Sequence, residues 1–222
     1  MEIKSIKDAS TYIIQSQEEE LKRIAIELHE GVGQNLFSLY TGLEYLQTLM
    51  EDPVMKNYAK DLSALMNRTI QEIRFLSVEL YPNTLSNLGL FAALKSYIKL
   101  FSSTFGIQIH IVYEGEEKPI EESCSLSIFR SCQEALINIA KHADVDEATF
   151  RFTWGEKSLK IDIIDNGKGF NVQEVKENND LKGLAAMKHR MEFVGGDFLL
   201  TSELDKGTAV SLIMPFLTIG KG

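Results

Sequence analysis

Ile24, Leu28, Val32, Leu36, Leu39, Leu43, Leu46 and Met50 place an apolar side chain at every third or fourth position, which is the spacing of one face of a helix. The pattern predicts a single long helix from Gln17 onward, ended by Glu51-Asp52-Pro53. A second stripe, Tyr58, Leu62, Leu65, Thr69, Ile73, Leu76 and Leu80, follows at once and runs to Pro82. That proline pushes the residue before it out of the helical region and stops the helix. Two long helices joined by a short turn form a hairpin, and one antiparallel pair leaves much of its apolar surface wet. A second copy is the simplest cover, giving a dimeric four-helix bundle. Residues 17–82 are read as this helical domain. In residues 1–16, Ile3, Ile6 and Ile13 are too sparse for a coiled coil, and the segment is read as a linker or helical lead-in.

After Pro82 the pattern changes, and residues 83–222 are read as a second domain of the α+β class. Helices are predicted over Ser86–Thr104, Ser123–His142 and Leu184–Val194. Strands are predicted over Ile107–Tyr113, Thr149–Trp154, Leu159–Ile164, Phe198–Ser202 and Ala209–Met214. The expected architecture is a sandwich with helices on one face of a mixed sheet.

The 222 residues, 44% of them hydrophobic, suffice for two cores. A formal charge of −9 repels a phosphate backbone, so nucleic acid is not an expected partner. Cys124 and Cys132, the two cysteines, support neither a disulfide framework nor a four-ligand metal site. No apolar run approaches the roughly 20 residues that cross a bilayer, and the opening residues do not resemble a signal peptide. The segment is expected to be soluble and cytoplasmic without membrane contact of its own, leaving open a membrane anchor in a longer parent chain.

Within the first helix, Glu27-Leu28-His29-Glu30-Gly31-Val32-Gly33-Gln34 puts an imidazole beside a carboxylate. A neutral ring nitrogen is a competent nucleophile toward phosphorus, and phosphoryl transfer asks little more of a protein than positioning and charge dispersal. Glu30 is placed to take or orient the proton on the other ring nitrogen. Gln34 shares a face with Glu30 at i+4, where its amide can hold a water for the reverse, hydrolytic reaction. The bland alternative is an ordinary surface histidine.

A second constellation lies on the helix of Ser123–His142, where Glu134, Asn138 and Lys141 follow one another at one-turn spacing. Asparagine offers a hard oxygen to magnesium, glutamate can orient a water or assist a nucleophile, and lysine meets phosphate. A solvated helix face gives the same pattern. The strand Ile161–Ile164 then leads into Asp165-Asn166-Gly167-Lys168-Gly169. A carboxylate at a strand end can accept from an adenine amino group, and Gly167 and Gly169 permit close backbone approach to a ligand. Asn171–Lys182 reads as a polar flap. Gly183-Leu184 opens the next helix, where backbone N–H groups suit an anion and simple capping by glycine is the alternative, and Gly207-Thr208 begins the last strand with a hydroxyl able to join a base-binding network.

In order, Glu-x-x-x-Asn-x-x-Lys-His, Asp-x-Gly-x-Gly, Gly-Leu at a helix start and Gly-Thr resemble the N, G1 and G2 boxes of the Bergerat (GHKL) nucleotide-binding fold. Histidine kinases, gyrase, the Hsp90 chaperones and mismatch-repair ATPases share that fold. The upstream hairpin from Arg23 to Gln34 looks like the dimerisation and phosphoacceptor domain of sensor histidine kinases of the nitrate, thermosensing and envelope-stress type. Leu80-Tyr81-Pro82 through Leu85, Gly89-Leu90 and Ala93-Leu94 is similar to their junction.

The resemblance implies ATP and Mg²⁺ as cofactors, a homodimer, and a response regulator as partner. It makes His29 the phosphorylated residue, Glu30 its acid/base partner and Gln34 the amide used in dephosphorylating the regulator. Glu134, Asn138, Lys141 and His142 match the N box, with Asn138 on the metal. Asp165 matches the adenine-reading carboxylate. Gly167, Gly169, Gly183, Leu184 and Thr208 match the remaining nucleotide positions. Glu30 stands where most members carry Asp, Tyr81 where Arg is frequent, and Leu181 where Gly or His is common. Two other readings compete: a silent dimeric phosphotransfer or scaffold protein, and a protein serine kinase of the same nucleotide-binding fold.

Overall fold

The computed structural model describes residues 16–173 and 182–216. Most of the lead-in, most of the predicted polar flap, and Leu181 lie outside these residues. The chain separates into two compact units between Asn83 and Thr84.

The first unit is the helical hairpin. Helix α1, residues 16–49, is continuous but contains a π-helical turn over Glu27–Gly33. Helix α2 spans Pro53–Leu80. Asp52 starts α2 by accepting hydrogen bonds from the Val54 and Met55 amides at 2.8 and 3.4 Å, with Pro53 in the first turn. An N-terminal cap of this kind satisfies amides that have no partner within the helix. Asp52→Ala is therefore expected to cost about 1 kcal/mol, read as a lower urea midpoint of the hairpin with an unchanged slope. The two helices are tied by Gln47 Nε2 donating to Ser63 Oγ at 3.0 Å and by the buried Ser77 hydroxyl donating to the Ala25 carbonyl at 2.8 Å. Much of the apolar stripe stays uncovered in the single chain: Leu39, Tyr45, Leu49, Tyr58 and Leu65 are all more than half exposed.

Helix α3, Asn83–Phe105, all but its first residue in the second unit, is not one straight helix. Gly89 sits at φ 82° and ψ 177° and breaks it, a conformation open in practice only to glycine. The predicted uninterrupted helix over Ser86–Thr104 is corrected at that point. Strand β1, Gln108–Glu114, follows, then α4, Glu122–Asn138, which runs on into a π turn over Ile139–Ala143. Strands β2, Glu147–Trp154, and β3, Ser158–Asp165, precede α5, Lys182–Phe193. Strands β4, Asp197–Glu203, and β5, Gly207–Pro215, end the fold.

The five strands form one sheet in the order β1-β2-β3-β5-β4, with β1 parallel to β2 and the other pairs antiparallel. Alternation decides which face is covered. Phe150, Phe152, Leu159, Ile161, Ile163, Val210, Leu212 and Met214 are buried on one side. Phe91 of α3 meets Phe152 edge-on at 5.0 Å, and Tyr97 of α3 meets Phe129 of α4 at 5.6 Å. On the other face Asp162 is paired with Lys160 at 2.8 Å and accepts from the Ser211 hydroxyl. This is the expected α+β sandwich. Among the described residues, no helix is long and apolar enough to cross a membrane.

Candidate active site

A cleft of about 480 Å³ opens in the second unit between α4, the ends of β3 and β5, and the start of α5. Its polar lining consists of Asn138 and His142 from α4 and its π turn, Asp165 from β3 and Thr208 from β5. Ala135, Ile139, Ile163, Phe170, Leu184 and Val210 supply apolar walls, and Gly169 and Gly183 complete the lining. A mostly apolar cavity of this size with a few convergent polar groups suits a small organic ligand.

Asp165 is buried at the last position of β3. Burial pushes its carboxyl above the usual carboxylate range, while the Gly167 and Thr208 amides that donate to it act in the opposite direction. The Gly167 bond is 2.9 Å long. Ionised, the group is an acceptor only, matched to a ligand amino group. Thr208 shares its hydroxyl with Ser202 Oγ at 3.0 Å, and Ser202 also donates to the Gly207 carbonyl and accepts from the Phe170 amide. Ser202 was not expected from the sequence, because it enters the network from a strand 32 positions beyond Phe170.

The glycines of Asp-x-Gly-x-Gly also make close contacts within the protein. A Cβ on Gly167 would lie 2.2 Å from the Ala143 carbonyl oxygen, and one on Gly169 would lie 1.9 Å from that of Glu203. Both positions let protein backbones pass each other closely. Lys168 between them donates its amide to Ala143 at 3.0 Å and accepts from the Asp205 amide at 2.7 Å. Its ammonium pairs with Asp144 at 2.8 Å, and this partner holds the Asp144 carboxyl below its ordinary value. The loop after β3 is thereby fastened to the end of the α4 π turn and to the β4–β5 turn. Gly169 lines the cleft, whereas Gly167 is not part of the lining.

Glu134 is half-buried, with its carboxylate against the start of α5: a Cβ on Gly183 would fall 2.1 Å from Glu134 Oε1. Lys141 is exposed and does not line the cleft. The one-turn series that reaches the cavity is Asn138 and His142, at i and i+4, with His142 inside the π turn that starts after Asn138.

In the first unit, His29 and Glu30 lie inside the π turn of α1, with Gln34 next after it. All three are exposed. A π turn widens the helix by one residue and is frequent at functional sites. A Cβ on Gly33 would stand 3.3 Å from the Leu28 carbonyl oxygen, so glycine relieves the crowding there. His29 and Gln34 share a cavity of about 300 Å³, which Glu30 does not line.

Residues 20–85 match the family described as histidine kinase, and residues 125–218 match the histidine kinase-, DNA gyrase B- and HSP90-like ATPases. The chain belongs to the histidine kinases. It is similar to the oxygen sensor histidine kinase NreB of Staphylococcus carnosus, at 33% identity over 202 residues. That match takes in 91% of this chain and 58% of NreB, so the chain spans a little over half the length of this relative. The histidine kinase domain of the Erythrobacter litoralis EL346 blue-light activated histidine kinase shares the fold at a TM-score of 0.51 and 13% identity. That match covers 82% of this chain and 94% of the domain. The longer EL346 structure gives the same score at 14% identity, covering 88% and 60%.

Proposed function

We propose that this histidine kinase binds Mg²⁺-ATP in the cleft of its second unit, phosphorylates its own His29, and passes the phosphoryl group to an aspartate of a response regulator. The cleft carries the reading: Asn138, His142, Asp165 and Thr208 converge on one cavity, although they come from three separate elements. Asp165 reads the adenine amino group, while the start of α5 at Gly183 and Leu184 offers amides to phosphate.

Among the described residues no three His, Cys, Asp or Glu side chains gather into a metal-binding group. A magnesium ion is commonly held by one or two protein oxygens together with nucleotide phosphates and water, and the Asn138 carboxamide fits that part. When bound, the ion disperses phosphate charge. Glu134 and Lys141 are assigned supporting roles beside the cleft, Glu134 through α5.

His29 is the nucleophile. Glu30 takes the proton from the second ring nitrogen as the phosphorus–nitrogen bond forms, and Gln34 orients water when the regulator is dephosphorylated. The uncovered stripe of Leu39, Tyr45, Leu49, Tyr58 and Leu65 supports a homodimer through a four-helix bundle. ATP dependence places the reaction in the cytoplasm.

The test is incubation of the chain with γ-labelled ATP and Mg²⁺ followed by mapping of the acid-labile label. Label at His29 supports the proposal, and its absence under saturating nucleotide refutes it. Asp165→Asn is expected to weaken ATP binding about 10- to 100-fold, because its amide turns a donor toward the adenine amino group. The same variant is expected to be no less stable than the parent. A carboxyl whose pKa is raised by folding contributes stability that is complete below the ordinary carboxylate range and is lost as pH rises through the raised value. At neutral pH the parent bears the cost of a buried charge, which asparagine removes. Calorimetry with ATP and melting curves between pH 4 and pH 7 check both halves, the variant losing that part of the pH dependence.

A further inference from the structure

The cavity of the first unit has a second wall. Beside His29, Gln34 and Ser38 of α1 it is lined from α2 by Ile73 and Arg74. The Ser38 hydroxyl is already engaged, donating to the Gln34 carbonyl at 2.9 Å. Arg74 is exposed, and no ion pair or hydrogen bond joins it to any described residue. It is the sole charged residue of the lining, and no carboxylate is among the lining residues. An imidazole, an amide and an uncommitted guanidinium thus face one space of about 300 Å³, ample for a phosphoryl group.

We infer that Arg74 binds the phosphoryl group carried by His29. The inference rests on the proposed role of His29 as acceptor. In the transfer, the lone pair of one ring nitrogen forms a bond to the γ-phosphorus. The bond from that phosphorus to the bridging oxygen breaks, its electrons leave on ADP, and the proton of the other ring nitrogen goes to Glu30. The product places a dianionic group on a helix that also carries Glu27 and Glu30, in a chain of net charge −9. A planar guanidinium meets two phosphoryl oxygens at once, which a lysine ammonium matches in charge but not in shape.

The experiment has two arms on the full chain and its Arg74→Gln and Arg74→Lys variants. In the first, potassium phosphoramidate phosphorylates the histidines with loss of ammonia, requiring neither ATP nor the nucleotide cleft. The ³¹P signal missing from His29→Gln is assigned to position 29 and titrated. A cation at contact distance lowers the ionisation midpoint of an acid by about one unit or more. The midpoint in Arg74→Gln is therefore expected about one unit above the parent, with Arg74→Lys between them. In the second arm, labelling from saturating Mg²⁺-ATP is expected to fall about 10- to 100-fold in Arg74→Gln, as when one charge-stabilising donor is removed from an active site. The KM for ATP should stay unchanged, since the nucleotide is held by the other unit. Equal ³¹P midpoints in parent and Arg74→Gln overturn the role of Arg74. A shifted midpoint in a parent chain that takes no label from ATP instead overturns the kinase reading and leaves the phosphoryl site standing.

Discussion

His29→Gln protein is expected to take up no acid-labile phosphate from γ-labelled ATP, while binding Mg²⁺-nucleotide as tightly as the parent. Glutamine keeps the polarity of the side chain and a comparable reach. Its amide nitrogen, however, has its lone pair delocalised into the carbonyl and is no nucleophile. The cleft residues Asn138, Asp165 and Thr208 belong to the other unit, so nucleotide affinity is untouched. Uptake should therefore fall to background, measured by labelling at neutral pH with and without acid treatment beside calorimetric ATP binding. Persistent acid-labile label would move the acceptor to His110, His142 or His189. Acid-stable label on a partner protein would instead favour the serine kinase reading. Mixing His29→Gln with Asp165→Asn chains adds direction. Recovery of labelling in the mixture means that the nucleotide held by one protomer serves the histidine of its partner.

The parts of this fold that were legible in sequence are those governed by a repeating exposure to water. Phe150, Phe152 and Trp154 alternate with Thr149, Arg151 and Thr153 because one sheet face is covered, and the C-terminal end of β2 follows from that alternation, while its start lies two residues earlier, at Glu147. Pro53 and Pro82 bound the hairpin helix for the same local reasons that exclude proline from helix interiors. The candidate site was legible as an ordered series of residue types, of which Asn138, His142, Asp165, Gly169, Gly183, Leu184 and Thr208 meet at one cleft.

What escaped the sequence depends on partners that are distant along the chain. Neither π turn alters apolar periodicity enough to be seen, although one holds His29 and the other holds Lys141 and His142. Gly89 looked like a tolerable helix glycine, and only its φ of 82° reveals the break. Ser202, Phe170 and Arg74 carry no motif of their own. Each matters through the residue it is brought beside, which a one-dimensional pattern does not contain.

Gly169→Ala is expected to be among the most damaging single-methyl substitutions in the second unit. The residue has φ 53°, a left-handed conformation that costs an L side chain about 1–2 kcal/mol. The added carbon would also sit 1.9 Å from the Glu203 carbonyl oxygen and 2.8 Å from that of Gly207. These are backbone atoms of the β4–β5 turn, and no rotamer change moves them. Relief requires lifting the loop, which breaks the Asp205 amide bond to Lys168 and the Phe170 amide bond to Ser202. Overpacking of a close contact adds about 1–3 kcal/mol, so the loss of stability is expected at roughly 2–5 kcal/mol. Because Gly169 and Phe170 both line the cleft, ATP affinity should fall together with stability. This separates the variant from Asp165→Asn, where only affinity falls. Gly31→Ala is the matched control, since nothing lies within 4 Å of the added carbon and alanine favours a helix by about 1 kcal/mol over glycine. Urea unfolding of both variants with ATP titration decides the matter: an unshifted midpoint for Gly169→Ala would show that the two loops are not held by their backbone contact.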